Sequence, residues 1–152
     1  MRISAKGRYA LAAVISMAEK DAERAGKGDY TTVISISDRL GISKIYLEQV
    51  FALLKRAGLV NSVKGSQGGY QLTRKPRQIT VLDVLSAVES SLFEPAEPTV
   101  AGKAPEIDIA MRLTAFDQLD RVIRTTLSQV TLADLLSEAE KHKADRALMF
   151  YI

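Results

Sequence analysis

Two short amphipathic segments joined by one glycine constrain the fold of this chain more than any other feature. Thr32 can cap the first helix, which ends at Leu40-Gly41, because glycine readily takes the positive φ that closes such a turn. Ser43 then offers a side-chain oxygen to the free amides of a second helix. One face of that second helix carries a stripe with the spacing of a buried helical surface, formed by Leu47, Val50, Phe51 and Leu54. The pattern predicts a helix-turn-helix.

A short β-hairpin is predicted directly after the second helix. Residues 59–63 alternate like a strand, residues 70–72 form a second strand, and the tip between them, residues 64–69, is polar and glycine-rich. A helix-turn-helix followed by such a wing is typical of a winged DNA-binding domain. The alternative is an ordinary hairpin whose glycines only serve the turn, and the position directly after the helix-turn-helix favours DNA binding.

The candidate DNA contacts fall at three places in the sequence. The first turns of a recognition helix meet base edges, and the bare backbone of a wing tip suits close approach to phosphates. The start of a first helix, residues 4–20, can reach phosphates as well, although its charges can also be those of a solvated helix end. The predicted contacts are Lys6, Arg8, Ser43, Lys44, Tyr46, Gln49, Lys64, Gly65, Ser66, Gln67 and Gly68.

Charge is distributed unevenly along the chain. Residues 1–80 hold 14 Lys and Arg against 6 Asp and Glu, a net charge of +8, whereas residues 81–152 hold 7 against 12, a net charge of −5. A basic front half joined to an acidic back half fits a head that binds a polyanion on a body that does not. The alternative is uneven solvation without a binding role.

Two capping pairs mark helices in the back half. Thr80 precedes Asp83 by three residues, and Thr131 precedes Asp134 in the same way. The second pair starts a final helix, which we expect to end at about His142. The first pair starts a helix with an apolar stripe formed by Val81, Val84, Leu85 and Val88.

A long helix is expected from about Glu106 to Gln129, after a loop at residues 93–105 that holds three of the four prolines. Its apolar face is wide, and packing against a second copy of the chain is the simplest use of such a face outside a DNA-binding head. Packing within the same subunit is the alternative. The predicted dimer-interface residues are Leu113, Phe116, Leu119, Ile123 and Leu127.

The predicted fold class is therefore mostly α with a small β-wing. A winged helix-turn-helix DNA-binding domain would occupy residues 1–90, a linker loop residues 91–105, and the dimerisation helix, final helix and C-terminal tail residues 106–152. No apolar run approaches the roughly 18 residues of a membrane span, and residues 1–8 lack the apolar stretch of a signal peptide. We therefore expect a cytoplasmic protein.

The composition excludes several classes of site. The 152 residues contain no cysteine, which excludes disulfides, thiolate switches, a catalytic cysteine and the ordinary thiolate ligation of iron–sulfur clusters. The one histidine, His142, has no companions at a metal-binding spacing. A phosphate-binding loop of the GxxxxGK type is absent from the sequence as well. We expect no metal, no cofactor and no enzymatic activity.

Several short motifs in a fixed order resemble the Rrf2 family of bacterial winged-helix repressors, and they span nearly the whole chain. They are residues 1–10, Tyr46-Leu47-Glu48-Gln49, Ala57-Gly58-Leu59-Val60, residues 64–70 and the helices after Thr80 and Thr131. The resemblance implies a homodimer that binds double-stranded DNA. Many family members sense iron–sulfur clusters through three cysteines in the loop before the long helix, and residues 93–105 have none. The family's wing often carries arginine where Lys64 stands, and lysine lacks the bidentate fork.

The last seven residues, 146–152, are apolar, although chain ends are usually polar and frayed. Packing on the body of the fold is the expected use, and capture of the terminal carboxylate by a partner's backbone amides is the alternative. The ending resembles that of family members that repress cysteine metabolism. That resemblance implies cysteine synthase (O-acetylserine thiol-lyase) as a partner whose active site would accept Ile152. The expected partner-binding residues are Phe150, Tyr151 and Ile152.

These patterns and the resemblance lead to one expected function and two alternatives. The chain is expected to be a homodimeric, sequence-specific repressor of cysteine and sulfur metabolism genes, with cysteine synthase as its signal-sensing partner. One alternative is a protein that mainly regulates a metabolic enzyme through direct interaction. The other is a repressor of the same family that responds to a different effector, again not a cluster.

Overall fold

The computed structural model describes residues 2–23, 30–65 and 68–151 of the chain. The elements in those ranges are, in chain order, α1 (Ala5–Glu23), α2 (Val33–Leu40), α3 (Lys44–Arg56), β1 (Val60–Val63), β2 (Gly69–Leu72), a 3₁₀ turn (Pro76–Gln78), α4 (Val81–Val88), α5 (Pro105–Met111), a π-helical turn (Arg112–Phe116), α6 (Asp117–Ser128) and α7 (Leu132–Phe150). The predicted fold class, mostly α with a small β-wing, is confirmed. None of these helices combines the length and the apolar character needed to span a bilayer.

The part of the chain from α1 to α4, which includes the wing, is called the head. Its core is formed by α1 together with α2, α3, α4 and the base of the wing. Ala10 and Ala13 of α1 are fully buried, and their small side chains allow close approach of the neighbouring helices. The four residues of the predicted α3 stripe are all 0% exposed, and the predicted α4 stripe is buried as well. Burial of each such Val, Leu or Phe side chain stabilises the fold by about 1.5–3 kcal/mol. The predicted buried stripes of α3 and α4 are therefore confirmed.

The wing is anchored to this core at its base. β1 and β2 pair antiparallel, with Val60 opposite Leu72 and Val63 opposite Gly69. Thr31 adds a short bridge, in which the amides of Thr31 and Tyr70 each donate to the other's carbonyl at 2.9 Å. The Tyr70 ring stacks on the buried Phe51 ring of α3, with centroids 4.5 Å apart. The orientation of the wing relative to α3 is therefore set by core packing.

The start of α7 also packs into the head. Leu132 is fully buried, and its amide donates to the Ile79 carbonyl at 2.9 Å. The Val81 amide donates to the Val130 carbonyl at 2.8 Å. Both predicted capping pairs are present, because the Thr80 and Thr131 side chains each accept from the amide three residues on and the matching aspartate accepts in return. The two helix starts thus lie side by side.

The predicted long helix is present from Pro105 to Ser128 and includes the π-helical turn in its interior. The sequence gives no Gly or Pro signal for that turn. None of the residues of α5, the π-helical turn or α6 is buried. A helical segment of this length with no buried residue leaves its apolar side chains exposed on the single chain.

The C-terminal end differs from both expectations. The expected end of the final helix near His142 is wrong, since α7 continues to Phe150. Residues 143–150 contain neither Gly nor Pro and are mostly strong helix formers. The expected packing of the apolar end on the body is also wrong, because the side chains of Leu148, Met149, Phe150 and Tyr151 are 61, 79, 78 and 90% exposed. Ile152 lies outside the described residues.

Candidate nucleic-acid interface

Three local caps define both ends of α2 and the start of α3. The Thr32 side chain accepts from the Ser35 amide at 3.1 Å, and the Ser43 side chain accepts from the Tyr46 amide at 3.2 Å. Gly41 takes a φ of 66°, and its amide donates to the Ser37 carbonyl at 2.9 Å. These are the caps and the left-handed turn that the sequence predicted. Lys44 and Ile45, at the start of α3, are exposed.

A polar brace, formed by Arg39, Ser16 and Glu19, ties α2 to α1 and was not predicted from the sequence. The Arg39 guanidinium donates to the Ser16 hydroxyl at 3.0 Å and to the Glu19 carboxylate. Lys143 of α7 lies 3.4 Å from the same carboxylate. The hydrogen bond from Arg39 holds the pKa of the Glu19 carboxyl below its ordinary value, and partial burial opposes this shift. The brace joins residues 20 or more positions apart, so no local pattern signals it.

The exposed face of α3 is defined by the helical repeat. Side chains are about 100° apart around a helix of 3.6 residues per turn, so the face opposite the buried stripe can be read from residue numbers. Its centre is formed by Ile45, Gln49, Ala52 and Arg56, and all four are exposed. Gln49, a predicted DNA contact, therefore lies at the centre of this face.

The other predicted contacts of α3 lie on its flanks. Lys44 is exposed, and its ammonium group lies 3.9 Å from the Glu48 carboxylate on the flank nearer the wing. Tyr46 lies on the opposite flank, where it is half-buried and packs edge-on against the Tyr9 ring at a centroid distance of 5.1 Å. Tyr46, a predicted DNA contact, is therefore only partly accessible to DNA, because its ring is part of the contact between α3 and α1. Ser43 is exposed, and its side chain serves as the α3 cap.

The wing approaches the start of α3 across a narrow cleft. The cleft has a volume of about 280 Å³, and its lining includes Lys44 and Glu48 of α3 and Gly68 of the wing. Lys64 and Gly65 are exposed, and Gly68 has a φ of +66°. The predicted contacts Ser66 and Gln67 lie outside the described residues. The geometry brings a lysine of α3 and the wing backbone to one side of the head.

Gly69 is required by a close approach of the chain. A Cβ added at this position would meet the Tyr30 ring and lie 2.7 Å from the Thr31 carbonyl oxygen. Backbone cannot move aside as a flexible side chain can, so any larger residue would displace the bridge between Thr31 and Tyr70. Glycine at the base of the wing thus holds β2 against the head.

The start of α1 lies beside the start of α3 through the contact between Tyr9 and Tyr46. Arg8 is exposed, and its guanidinium donates to the Ile3 carbonyl at 2.7 Å. Lys6 is half-buried. Both predicted phosphate contacts are therefore at the same end of the head as the first turn of α3. The Ser4 hydroxyl donates to the Glu89 carboxylate at 2.8 Å and holds this end of α1 against the end of α4.

Apolar side chains of the long helix are exposed to solvent on the single chain. Leu113, Phe116 and Leu119 are 53, 42 and 61% exposed, and Ile123 and Leu127 are half-buried. Val122, which the sequence analysis did not include, is 61% exposed. A cleft of about 340 Å³ opens between this helix and residues 92–96, where the Arg124 guanidinium lies over the Phe93 ring at 4.8 Å.

Two of the three predicted partner-binding residues at the C-terminal end are accessible to solvent. Phe150 and Tyr151 are exposed, and Ile152 lies outside the described residues. His142 is exposed on α7, and its ring lies 3.1 Å from the Glu138 carboxylate. Among residues 2–23, 30–65 and 68–151, no group of three or more His, Asp or Glu side chains is arranged to hold a metal ion.

One exposed residue of α3 was missed by the sequence analysis. Ile45 is 72% exposed in the first turn of the helix. A signal for it exists in the sequence, because this isoleucine falls outside the repeating stripe of buried residues. An apolar residue outside the stripe of an amphipathic helix has no role in the core.

A comparison with known families places the fold and the site in context. The model of the Rrf2 family, described as an iron-dependent transcriptional regulator, matches residues 3–138. The sequence offers no thiolate, and the described residues hold no group of metal ligands. The donor set of this chain therefore does not fit an iron–sulfur cluster.

Individual proteins are similar over nearly the whole chain. The transcriptional regulator CymR of Bacillus subtilis is 34% identical over 152 residues, which covers all of both proteins. A solved structure of CymR, described as the global cysteine regulator of B. subtilis, has a TM-score of 0.70 at 31% identity and covers 91% of this chain and 98% of that one. The structure of T. potens IscR has a TM-score of 0.69 at 34% identity and covers 93% of this chain and 90% of that one.

Proposed function

This chain belongs to the Rrf2 family of transcriptional regulators, and from that premise we propose that it acts as a homodimeric repressor of cysteine and sulfur metabolism genes. The proposal has three parts, which are DNA binding through α3 and the wing, dimerisation through the long helix, and signal sensing through the C-terminal end. The relatives with which it aligns are named as transcriptional regulators and not as enzymes.

One observation carries the DNA-binding part. The exposed face of α3, with Gln49 at its centre, lies beside the wing, and Lys44 lines the cleft between α3 and the wing. An α-helix fits into the major groove of DNA, and a wing beside it can reach the adjacent DNA backbone. The net charge of +8 over residues 1–80 attracts the phosphates.

Dimerisation would place two such heads on one DNA duplex. Leu113, Phe116, Leu119 and Val122 of the long helix are exposed on the single chain, and a second copy can cover them. Two heads related by a two-fold axis would read half-sites about one helical turn apart, roughly 34 Å from centre to centre.

The metabolic role rests on likeness and on the exposed C-terminal end. CymR is described as the global cysteine regulator of its organism, and this chain aligns with CymR over its full length. Cysteine synthase is the partner that the resemblance implies. Leu148, Met149, Phe150 and Tyr151 are exposed at the end of α7, so the segment before Ile152 is free to contact another protein.

Binding of the full chain to cysteine synthase, followed by fluorescence anisotropy, tests the metabolic role. A chain that lacks Ile152 is compared, and O-acetylserine is added as a competitor for the enzyme's active site. We expect binding by the full chain, loss of binding without Ile152, and competition by O-acetylserine. A Phe150→Ala variant should weaken binding as well, and a Glu140→Ala variant, on the exposed part of α7 further from the end, is the matched control.

The outcomes separate the parts of the proposal. DNA affinity of the chain without Ile152 should equal that of the full chain in the absence of the enzyme. If neither chain binds cysteine synthase while both bind DNA, the partner assignment is wrong and the DNA-binding part stands. If DNA binding fails at low salt on duplexes of random sequence, the central part is wrong.

A further inference from the structure

Ile45 lies on the face of α3 that is opposite the core. Counted around the helix, it lies directly opposite the buried stripe, and 72% of it is exposed. Gln49 follows on the next turn of the same face and is also exposed. The charged side chains of Lys44 and Glu48 lie on one flank, and Tyr46 packs on Tyr9 at the other flank.

The exposed isoleucine is not explained by the stability of the head. Leu47, in the same turn, is fully buried, whereas Ile45 contributes little to the core. β-Branched residues are also weaker helix formers than alanine or leucine. An exposed apolar group on this face of a basic head is free to contact a partner outside the chain.

The chemistry of the major groove offers one such partner. Base edges there present hydrogen-bond donors and acceptors, and the C5-methyl group of thymine is the apolar feature among them. Gln49 has the amide that pairs with adenine in two hydrogen bonds. Residues four apart on a helix are about 5–6 Å apart, and successive base pairs are about 3.4 Å apart, so the two side chains reach base pairs that are near neighbours.

We propose that Ile45 is a specificity-determining residue that packs on the C5-methyl group of a thymine in each half-site. The proposal rests on the DNA-binding function argued above and adds a base and a position to it. Ile45 and Gln49 together then favour a half-site rich in A·T pairs beneath the first two turns of α3. The methyl group, rather than the hydrogen-bonding edge of the base, is what Ile45 recognises.

The test uses a duplex that the full chain selects from a pool of random sequence. Each thymine of the selected site is replaced in turn by uracil, which removes only the methyl group, and affinity is measured by fluorescence anisotropy. One thymine per half-site should be sensitive, with a loss of about fourfold per methyl group, which corresponds to roughly 0.8 kcal/mol for one buried methylene equivalent. The Ile45→Ala variant should bind the thymine and uracil duplexes equally, and Ile45→Val should retain part of the difference.

A second exposed apolar residue provides a matched control for the Ile45→Ala variant. Leu148, near the end of α7, is 61% exposed, so Leu148→Ala removes an apolar side chain of the same size from outside both the helix-turn-helix and the long helix. This variant should keep the full sensitivity to uracil. Selection of a defined site with no sensitive thymine, or a sensitivity that Ile45→Ala leaves unchanged, overturns the role of Ile45 and leaves the proposed function standing. Failure to select any site overturns the proposed function itself.

Discussion

Gln49 and Lys44 lie in the same two turns of α3 but are placed for different tasks. Gln49 is at the centre of the exposed face, which would meet base edges in the proposed complex, and Lys44 is on the flank beside the wing, which would lie nearer the phosphates. The structure thus separates two residues that the sequence analysis grouped together. Their substitution should affect DNA binding in different ways.

Gln49→Ala should lower the affinity for a selected site by about 1–3 kcal/mol and relax the preference at one base pair, because a bidentate amide contact is lost. Lys44→Ala should weaken binding to all duplexes alike and reduce the salt dependence by about one phosphate contact. Anisotropy titrations on selected and scrambled duplexes at several salt concentrations measure both effects. Lys141→Ala, which removes an exposed lysine of α7, is the control. Equal loss of affinity on both duplexes for Gln49→Ala would contradict its assignment to the bases.

The hydrogen bond from Arg39 to Glu19 predicts a pH dependence of stability. The pKa of the Glu19 carboxyl is lower in the folded chain than its ordinary value, so folding favours the deprotonated form. The stabilisation is complete above the ordinary carboxyl pKa and is lost as the pH falls through the lowered value. Urea unfolding at pH 7 and at about pH 3 should show a larger loss of stability for the native chain than for Glu19→Gln. If the stability of Glu19→Gln depends on pH in the same way as that of the native chain, other carboxylates cause the loss of stability at low pH.

At the scale of elements, the two capping boxes hold the start of α4 beside the start of α7. Thr80 and Thr131 form a short bridge with each other, and each caps its own helix. The hydrogen bond from the Thr131 amide holds the pKa of the Asp134 carboxyl below its ordinary value. The pair therefore connects the head with the helix that leads to the C-terminal end.

Thr131→Ala should lower the free energy of unfolding by about 1 kcal/mol, since the helix loses one side-chain cap. Thr80→Ala should cost about as much, and the double variant should deviate from the sum because the two residues are neighbours. Thr125→Ala, at an exposed position inside α6, should be neutral or slightly stabilising. Urea denaturation followed by circular dichroism measures all four variants. A neutral Thr131→Ala would mean that water replaces the cap without cost.

Elements whose signals are local were predictable from the sequence. The caps Thr32, Ser43 and Thr80, the turn at Gly41 and the buried stripes each follow from residues within one or two helical turns. The end of α7 was not predictable in the same way. The charged run near His142 resembles a helix end, although the residues beyond it still favour a helix. Ile45 was not predicted as a DNA contact because the exposed positions of α3 were chosen for their polar or charged side chains. The brace at Arg39 and the contact between Tyr46 and Tyr9 join distant parts of the chain, so they required the fold.

At the scale of the whole molecule, the basic head and the exposed long helix suggest that one chain is half of a functional unit. A single head has one recognition helix, and its net attraction for phosphate is similar for every sequence. A second head at a fixed distance would make the spacing of two half-sites part of the recognition. The apolar side chains of the long helix are therefore expected to determine how selective DNA binding is, without contact with DNA.

Leu119→Glu should convert the protein to a monomer if the long helix forms the dimer interface. Leu119 is 61% exposed on the single chain, and a carboxylate placed there would be buried without a partner in a dimer, at a cost of several kcal/mol. Gln118→Glu introduces the same charge at the adjacent exposed position on another side of the helix and is the matched control. Sedimentation velocity should show a dimer for the native chain and the control, and a monomer for Leu119→Glu. The monomer should keep its helical content and its weak binding to a single half-site, and it should lose the dependence on half-site spacing. A dimeric Leu119→Glu variant with unchanged binding would place the interface elsewhere, since an unpaired charge could not then be buried at this position.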